Sequence, residues 1–587
     1  MRHKVLSEPQ GKYQLYCFLL MVGLFVCMEL LGPLFVHIEK GANVFNSLNV
    51  VLCAAFNASA ILLLLSFLHR FVFLGKIIVT VIYGCYCYAN LLHYRGIGSY
   101  LPIQMLTQTQ QLEGLGDGIF GLIRWYDVFF ILLPAGLIYS YGRVKRKLTD
   151  FRISRHLAIA GIFLILTAPL SYIGYKAIGA GFKRFSGQII ERGHLSPLDT
   201  YMRVGLAPII YYQLHVMNTS DFGGINEEEL GQIREVISDN LSVNNAYVSP
   251  SPRKNVVIML MESFNTSCVS PDIMPALDSL CSLPTTLSCP NVVQIPQGAM
   301  SIGGQLIVLS GLNGLMAAPF CALCPYNVYP SISRELKARN EDAYSYIVIS
   351  TDIYYWRQNE VSEALGFDDV YGINDGMTLF NKNKWADDND VFRKALSSIP
   401  SDGRPFCCVI APSNMHADYT VDKTIDCPVV FEDVKDEKCH EYFRRARYLD
   451  EQISSFIAGL QARGVYDETL IVVTSDHQIP YNYCSEEMKS DISPYFPAMY
   501  INTGCDWAEN NKMNEEVVYC HNQIYPTTLQ LMGLRPDEYA GFFPSMTNCV
   551  GFSCTDPSDE RLKTFYHFQE KIIRGGYFGR NRFYIFA

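Results

Sequence analysis

At 587 residues the chain is too long for one hydrophobic core, and about three structural units are expected. Its formal net charge of -10 excludes the basic surface that a nucleic-acid-binding protein needs, so we expect no nucleic-acid partner. Hydrophobic residues make up 49% of the sequence but are densest in its first third, which predicts a membrane part followed by a water-soluble part.

Five apolar runs in the first third approach the roughly 20 residues that a helix needs to cross a membrane. They cover Leu15–Ile38, Val50–Leu74, Ile77–Leu92, Ile119–Tyr141 and Leu157–Tyr175. The first run is too long for a removed signal peptide and lacks a small-residue cleavage site. The sequence therefore predicts a transmembrane domain of five helices within residues 1–175.

Basic residues predict how these helices are oriented. They precede the first run and occupy the second and fourth connections, whereas the first and third connections carry few. We therefore expect the N-terminus inside the cell and the chain beyond the fifth helix outside. The cluster Arg143–Lys147 could also bind anionic lipid head groups, and His93–Gly118 could be an interfacial segment or an ordinary loop.

The cysteines point to an oxidising compartment for the second part of the chain. Of the 19 cysteines, we expect free thiols at five in the apolar N-terminal runs and at Cys407 and Cys408 in a predicted strand. The other twelve lie in polar or turn-like sequence, and this even number predicts disulfides without fixing their pairing. Cys321 and Cys324 could instead be a redox or zinc pair, although no second such pair completes a zinc site.

Residues 176–250 contain no strand pattern and predict a helical connector at the membrane surface. Leu195–Val216 and Glu227–Leu241 have the periodicity of short helices, and Ser249-Pro-Ser-Pro252 ends the segment. Residues 251–587 then form the water-soluble domain.

Two apolar strands of this domain end in potential metal ligands. Asn255–Met261 continues directly into Glu262, and Thr469–Ser475 into Asp476 and His477. Neighbouring parallel strands would bring these side chains to one edge of a sheet, where open α/β sheets place their chemistry. Carboxylate and imidazole ligands suit zinc or manganese. An isolated Asp-His pair is more often a polar turn, so the second carboxylate is what favours a metal site.

Ser301 follows turn residues and begins an apolar helical run. A helix start offers a positive dipole end and backbone N–H groups that favour phosphate. Taken alone, Ser301 would be a plain helix-capping serine. Bound to a metal ion, the same hydroxyl would lose its proton readily and act as a nucleophile.

The order of these pieces resembles the alkaline phosphatase superfamily. Five helices before them resemble its membrane branch, the lipoteichoic acid synthases and phosphoethanolamine transferases. Pro275–Leu280 is similar to the family segment P-N-L-D-x-L, and Tyr448–Asp450, Arg463–Thr469 and His521–Gly533 are similar to others. The resemblance implies an extracytoplasmic α/β domain with a largely parallel central sheet.

The resemblance also implies roles for the four residues singled out above. Glu262, Asp476 and His477 would bind one divalent metal, manganese or zinc, together with Ser301. Ser301 would be the catalytic nucleophile, at a position where the family more often has threonine.

Two further segments resemble the family's substrate-binding residues. Trp356 and Arg357 match the segment that holds glycerol phosphate, with Trp-Arg-Gln here in place of Trp-Asn-Arg. Asn414 and His416 match its S-N-H segment with one inserted residue, and His416 could touch the phosphate or protonate a leaving alcohol. Trp356 could equally be a core residue, and His521 either a support for the metal ligands or structural.

The resemblance implies a multi-pass transferase of the bacterial cytoplasmic membrane. It would move phosphoglycerol from a phospholipid head-group donor through a phosphoserine to an extracytoplasmic glycan or lipid acceptor. The alternative is phosphoethanolamine transfer to lipid A or a glycan. Around Ser301 the C/S-x-P-x-R segment of sulfatases is missing, which disfavours a sulfatase. A metal-free membrane scaffold or receptor is the rival from another class.

Overall fold

The structure is a computed structural model that divides into two compact units. One unit comprises Met1–Ile103 with Ile119–Ser220, and the other Gln104–Gly118 with Asp221–Ala587. The structure describes residues 8–40, 72–97, 116–145, 225–245, 252–295, 300–315, 320–324, 327–378, 385–504, 516–534, 542–548 and 559–575, with positions 50, 51, 54, 55, 58, 101, 206 and 577.

The N-terminal part is helical wherever the structure describes a continuous segment. Its helices are α1 (Glu8–Lys40), α2 (Val72–Ile97), α3 (Gly116–Leu122) and α4 (Phe129–Lys145), and a 3-10 turn, Trp125–Val128, precedes α4. Among the described residues, only the stretch Phe18–Glu39 is both long and apolar enough to cross a membrane. The predicted runs Val50–Leu74 and Leu157–Tyr175 lie largely or wholly outside the described residues, so the five-helix arrangement stays a prediction.

A buried ion-pair network joins the N-terminal helices. Arg95 of α2 donates to Asp127 at 2.6 Å and to Glu39 of α1 at 2.7 Å. Tyr126 donates its hydroxyl to the same Glu39 at 2.7 Å. Because an unpaired charge in such surroundings is costly, these contacts fix how α1, α2 and the turn before α4 meet.

The second unit is built on an eight-stranded sheet, which confirms the predicted α/β domain. The strands lie in the order β4-β3-β5-β1-β6-β7-β2-β8. Neighbours from β4 to β6 are parallel, whereas β7 runs antiparallel to both β6 and β2. The strands are β1 (Asn255–Met261), β2 (Leu287–Val293), β3 (Tyr344–Ile349), β4 (Asp369–Tyr371), β5 (Phe406–Ala411), β6 (Thr469–Ser475), β7 (Phe496–Ile501) and β8 (Tyr519–Cys520).

Helices cover both faces of this sheet. Alternate residues of β1 enter different core clusters, with Val256, Ile258 and Leu260 in one and Val257 and Met259 in the other. Burial on both faces explains why the strand is apolar throughout. The helices are α5 (Glu227–Asn245), α6 (Pro275–Cys281), α7 (Met300–Ser310), α8 (Phe320–Leu323), α9 (Ile332–Arg339), α10 (Gln358–Ala364), α11 (Asp388–Ser397), α12 (Glu437–Ala462), α13 (Glu486–Asp491), α14 (Ile524–Leu531) and α15 (Glu560–Gly575).

Helix α5 lies where the connector sequence predicts a helix, at Glu227–Leu241. The other predicted connector helix, Leu195–Val216, lies outside the described residues apart from Leu206. The proposed boundaries of the connector therefore stay a prediction.

The cysteine prediction is wrong for most of the residues concerned. Nine of the twelve cysteines assigned to disulfides lie among the described residues, and none of them forms a disulfide with another described cysteine: Cys268, Cys281, Cys289, Cys321, Cys324, Cys427, Cys439, Cys484 and Cys520. Seven of these nine are buried, because they occupy core positions of strands, helices and packed loops rather than exposed loops. Burial raises the pKa of Cys268 to about 12, so it behaves as a small hydrophobic residue. Cys505, Cys549 and Cys554 lie outside the described residues.

Candidate active site

All the candidate site residues except Ser301 follow the carboxyl ends of four adjacent parallel strands, β3, β5, β1 and β6. Glu262 comes directly after β1, and Asp476 and His477 directly after β6. Met261 pairs in register with Ser475, and the Asp476 amide donates to the Met261 carbonyl oxygen at 2.9 Å. The shared register therefore places the two carboxylates side by side at one edge of the sheet.

Glu262, Asp476 and His477 form a compact buried cluster. Ligand atoms from all three lie within 4.8 Å of one another, and each residue is less than a tenth exposed. His477 Nε2 is 3.3 Å from Glu262 Oε1 and 3.5 Å from Asp476 Oδ2. The Nδ1 of His477 donates to the Gln478 carbonyl oxygen at 2.9 Å, which leaves Nε2 directed at the carboxylates. Two carboxylates and one oriented imidazole fit a divalent zinc or manganese ion.

The electrostatics of the cluster favour a positive charge between the two carboxylates. Burial raises the pKa of Asp476 above its ordinary value, and the charge of Glu262 raises it further. Burial acts in the same direction on Glu262, but His477 and then His416 lower its pKa below the ordinary value. The two carboxylates thus repel each other unless a cation neutralises them.

Ser301 lies beside this cluster at the start of α7. Its Oγ donates to Glu262 Oε2 at 3.3 Å, and its side chain is only half-buried. The helix comes this close because Gly304, one turn later, packs against the backbone of Asp476. A Cβ on Gly304 would lie 1.6 Å from the Asp476 carbonyl oxygen, far inside van der Waals contact. Only glycine permits this approach, which brings the Ser301 hydroxyl to the carboxylates.

Ser263 links the two carboxylates and was not predicted from the sequence. Its Oγ donates to Glu262 Oε1 at 2.6 Å and its amide donates to Asp476 Oδ1 at 3.0 Å. Its φ of 50° lies in the left-handed region that non-glycine residues avoid. Backbone strain of this kind is concentrated at functional sites. Nothing in a Glu-Ser-Phe sequence signals it, because serine is compatible with many conformations.

Trp356 and Arg357 lie on the segment that follows β3, at the same edge of the sheet. Both have positive φ, 50° and 53°, so this turn is also strained. Trp356 is half-buried and packs against the core, as the alternative interpretation expected. Arg357 donates from Nε and Nη2 to Glu360 Oε1, at 3.2 and 3.1 Å. Among the residues that it covers, the structure describes no direct contact between Trp356 and the cluster of Glu262, Asp476 and His477.

Asn414 and His416 follow β5, the strand next to β1. His416 is half-buried, its ring packs edge-on against Trp385 at 4.8 Å, and its Nδ1 bonds to the Ala417 carbonyl oxygen. A positive charge on His416 would lower the pKa of Glu262. Asn414 is buried and donates from Nδ2 to Asp387 Oδ1 at 2.9 Å. His416 therefore lies near the cluster of Glu262, Asp476 and His477, whereas the amide nitrogen of Asn414 supports the loop.

His521 is a buried ring in the core. It packs edge-on against Phe496 at 4.9 Å, and burial lowers its pKa to about 3. A neutral imidazole in such surroundings fits the structural role that the sequence also allowed.

Two family models match the chain in its expected order. The lipoteichoic acid synthase N-terminal domain matches residues 4–178, and the sulfatase model matches residues 338–534. The second match includes Trp356, Arg357, His416, Asp476 and His477.

The chain is also similar to whole proteins of this kind. It is 23% identical to the lipoteichoic acid synthase of Staphylococcus saprophyticus, over 80% of this chain and 73% of that protein. It is 21% identical to the enzyme of Staphylococcus aureus USA300, over 92% and 85%. The structure of the lipooligosaccharide phosphoethanolamine transferase EptA from Neisseria meningitidis, 14% identical, covers 92% of this chain and 98% of EptA with a TM-score of 0.50. The chain is therefore similar to the lipoteichoic acid synthases over most of its length, shares the fold of EptA, and is a phosphotransferase.

Proposed function

We propose that the protein transfers phosphoglycerol from a membrane phospholipid to a glycan or lipid acceptor outside the cell, through a phosphoserine at Ser301. The observation that carries the proposal is the position of Ser301 Oγ, at the first turn of α7 and 3.3 Å from a buried carboxylate of a three-ligand cluster. Similarity to the lipoteichoic acid synthases supports phosphoglycerol as the transferred group.

In the first half-reaction, Ser301 Oγ attacks the phosphorus of the head-group phosphodiester. The bond between phosphorus and the diacylglycerol oxygen breaks, and diacylglycerol leaves as an alcohol after taking up a proton. In the second, an acceptor hydroxyl attacks the phosphoserine and Ser301 regains its proton. A divalent ion held by Glu262, Asp476 and His477 would supply a Lewis acid that favours ionised Ser301 and neutralises phosphoryl charge.

His416 is the residue placed to move a proton on the substrate side. A carbonyl oxygen can only accept a hydrogen bond, so the contact with Ala417 puts a proton on His416 Nδ1. The proton-exchanging atom of His416 is then Nε2, which would protonate the leaving diacylglycerol oxygen or receive the proton of the acceptor hydroxyl. Arg357 would pair with the phosphate, in competition with Glu360.

The domain arrangement belongs to the same proposal. A five-helix domain at residues 1–175 with its N-terminus inside would anchor the enzyme in the bacterial cytoplasmic membrane. A connector at residues 176–250 would hold the catalytic domain, residues 251–587, at the outer surface. This arrangement presents the site to lipid head groups and to the acceptor.

The experiment compares donors. Full-length protein is incubated with zinc or manganese and vesicles that contain phosphatidylglycerol or phosphatidylethanolamine, and released diacylglycerol is measured. We expect release from phosphatidylglycerol. Release from phosphatidylethanolamine alone would replace the proposal with phosphoethanolamine transfer. No release from either lipid, together with no bound metal, would favour the scaffold.

A further inference from the structure

The loop that carries His416 is held from two sides by buried charged groups. This His416 loop comprises residues 412–418, after β5. Because the His416 ring bonds to the carbonyl of its own neighbour Ala417, the loop backbone decides where Nε2 lies. The groups that fix the backbone of the His416 loop therefore also fix the position of His416 Nε2.

The first side is the start of α11, where two carboxylates accept hydrogen bonds from the loop rather than from their own helix. Asp387 is the N-cap residue but makes no side-chain capping bond, although aspartate is a favoured N-cap. Its Oδ1 accepts from Asn414 Nδ2 at 2.9 Å instead. Asp388, which is completely buried, accepts the amides of Ser413 and Asn414 at 2.9 and 3.1 Å on Oδ1.

The second side is Arg445 on α12, which is 4% exposed. Its Nη1 donates to the His416 carbonyl oxygen at 2.8 Å, and its Nη2 to the Thr420 carbonyl oxygen at 2.6 Å. Its Nε donates to the buried Glu441 at 2.9 Å. This ion pair fixes the position of the guanidinium that donates to the loop carbonyls. A guanidinium can make these bonds together because its donors form a rigid fork, which an ammonium lacks.

The neighbouring Arg444 provides an internal comparison. It shares Glu441 with Arg445, donating from Nε to Oε2 at 2.7 Å and from Nη2 to Oε1 at 2.9 Å. Its Nη groups also donate to the carbonyl oxygens of Asp422 and Ile425. These carbonyls lie beyond the His416 loop in the chain. The two arginines thus have the same anchor and similar chemistry but hold different segments.

We propose that Arg445 is a positioning residue of the transfer reaction, which acts through the His416 carbonyl to place Nε2 of His416 at the site. This inference rests on the proposed function, in which His416 moves a proton. The start of the loop is fixed by Asp387 and Asp388. The guanidinium is fixed by Glu441. A purely structural arginine would affect folding without a specific effect on the step that uses His416.

The first test compares Arg445→Lys with Arg444→Lys in full-length protein on phosphatidylglycerol vesicles. A displacement of about 1 Å can cost up to about 100-fold in rate, so we expect Arg445→Lys to lower kcat by about tenfold or more while KM and metal content stay near those of the parent. Arg444→Lys should leave kcat within about twofold, since it does not hold the His416 loop.

A double-mutant cycle distinguishes positioning from general damage. In a His416→Ala background, Arg445→Lys should change kcat by less than about twofold, because the residue through which it acts is gone. An equal loss in both backgrounds would overturn the inference, as would an equal loss in Arg444→Lys. An inactive parent enzyme would instead count against the proposed function.

A second measurement does not depend on activity. The half-buried His416 can be carbethoxylated with diethyl pyrocarbonate, and the rate can be followed by peptide mass spectrometry. Arg445→Lys should change this rate by about threefold or more relative to the parent, because the loop opens more often, and Arg444→Lys should not. An unchanged rate in Arg445→Lys would show that the arginine does not hold His416, whichever lipid is the donor.

Discussion

The two halves of the candidate active site are held in different ways. The proposed metal ligands follow β1 and β6 directly, so strand register sets their separation. His416 and Arg357 lie several residues beyond β5 and β3, and their positions depend on side chains from other elements. We infer that changes in the strand-held half remove activity altogether, whereas changes around the loop-held half reduce it by degrees.

The largest effect is expected from Ser301→Ala, which removes the proposed nucleophile. Turnover should fall by about 10³-fold or more, because substitution of a covalent nucleophile leaves only binding and electrostatic contributions. Ser310→Ala is the matched control on the same helix, since the described bonds of Ser310 Oγ are local: it donates to the Leu306 carbonyl oxygen and accepts from the Leu312 amide. Full turnover in Ser301→Ala would refute the nucleophile, provided that metal content is unchanged.

Asp476→Asn should remove the metal ion and, with it, turnover. Loss of one ligand charge from a three-ligand site should weaken metal affinity by more than about 100-fold. Elemental analysis of purified protein measures the stoichiometry, and a chelator should have the same effect on the parent enzyme. Asp467→Asn, on the exposed turn before β6, should keep both metal and activity. Retained stoichiometric metal in Asp476→Asn would argue against this ligand set.

Gly304→Ala tests the contact between α7 and β6. The added Cβ would overlap the Asp476 carbonyl oxygen, so the helix must move and carry Ser301 away from Glu262. We expect a loss of turnover of about 10–100-fold, since misplacement of a reacting group by about 1 Å costs that much. Gly231→Ala on α5 is the control, because a Cβ there meets no atom within 4 Å. Equal activity in both variants would mean that Ser301 is not positioned by this contact.

Tyr448→Phe should have the smallest effect, because Tyr448 bonds to Asp387 and not to the His416 loop itself. The Tyr448 hydroxyl donates to Asp387 Oδ2 at 2.7 Å, and its loss leaves a buried carboxylate oxygen without that donor. Stability should fall by about 1–3 kcal/mol, and turnover by only a few fold. Tyr344→Phe removes a similar bond to the exposed Asp369 and should leave turnover unchanged. A complete loss of activity in Tyr448→Phe would contradict the inference that changes around the loop-held half reduce activity only by degrees.

The strand-held half could be predicted from the sequence because its signal is local. An apolar strand that runs straight into Glu262, and another into Asp476 and His477, carries both the fold and the ligands in a few residues. The parallel sheet and the start of α7 near Ser301 follow from the same periodicity, and the structure bears out both. The order of these segments along the chain carried the resemblance to the family, and that resemblance implied their roles.

The supports of the site could not be predicted in this way. Asp388 and Arg445 lie far along the chain from each other, and only the packing of α11 and α12 around the His416 loop brings them together. Gly304 is one of two adjacent glycines, and its contact with Asp476 depends on a tertiary approach. The disulfide prediction failed for a related reason, because cysteines in turn-like sequence, such as Cys484, prove to be core residues.

The most direct test of the central claim is to trap the covalent intermediate. Full-length protein is mixed with phosphatidylglycerol vesicles and metal in the absence of acceptor, quenched in acid, and digested for mass spectrometry. We predict phosphoglycerol on the peptide that contains Ser301, and none in Ser301→Ala. Turnover without any adduct, or an adduct on another residue, would contradict the account.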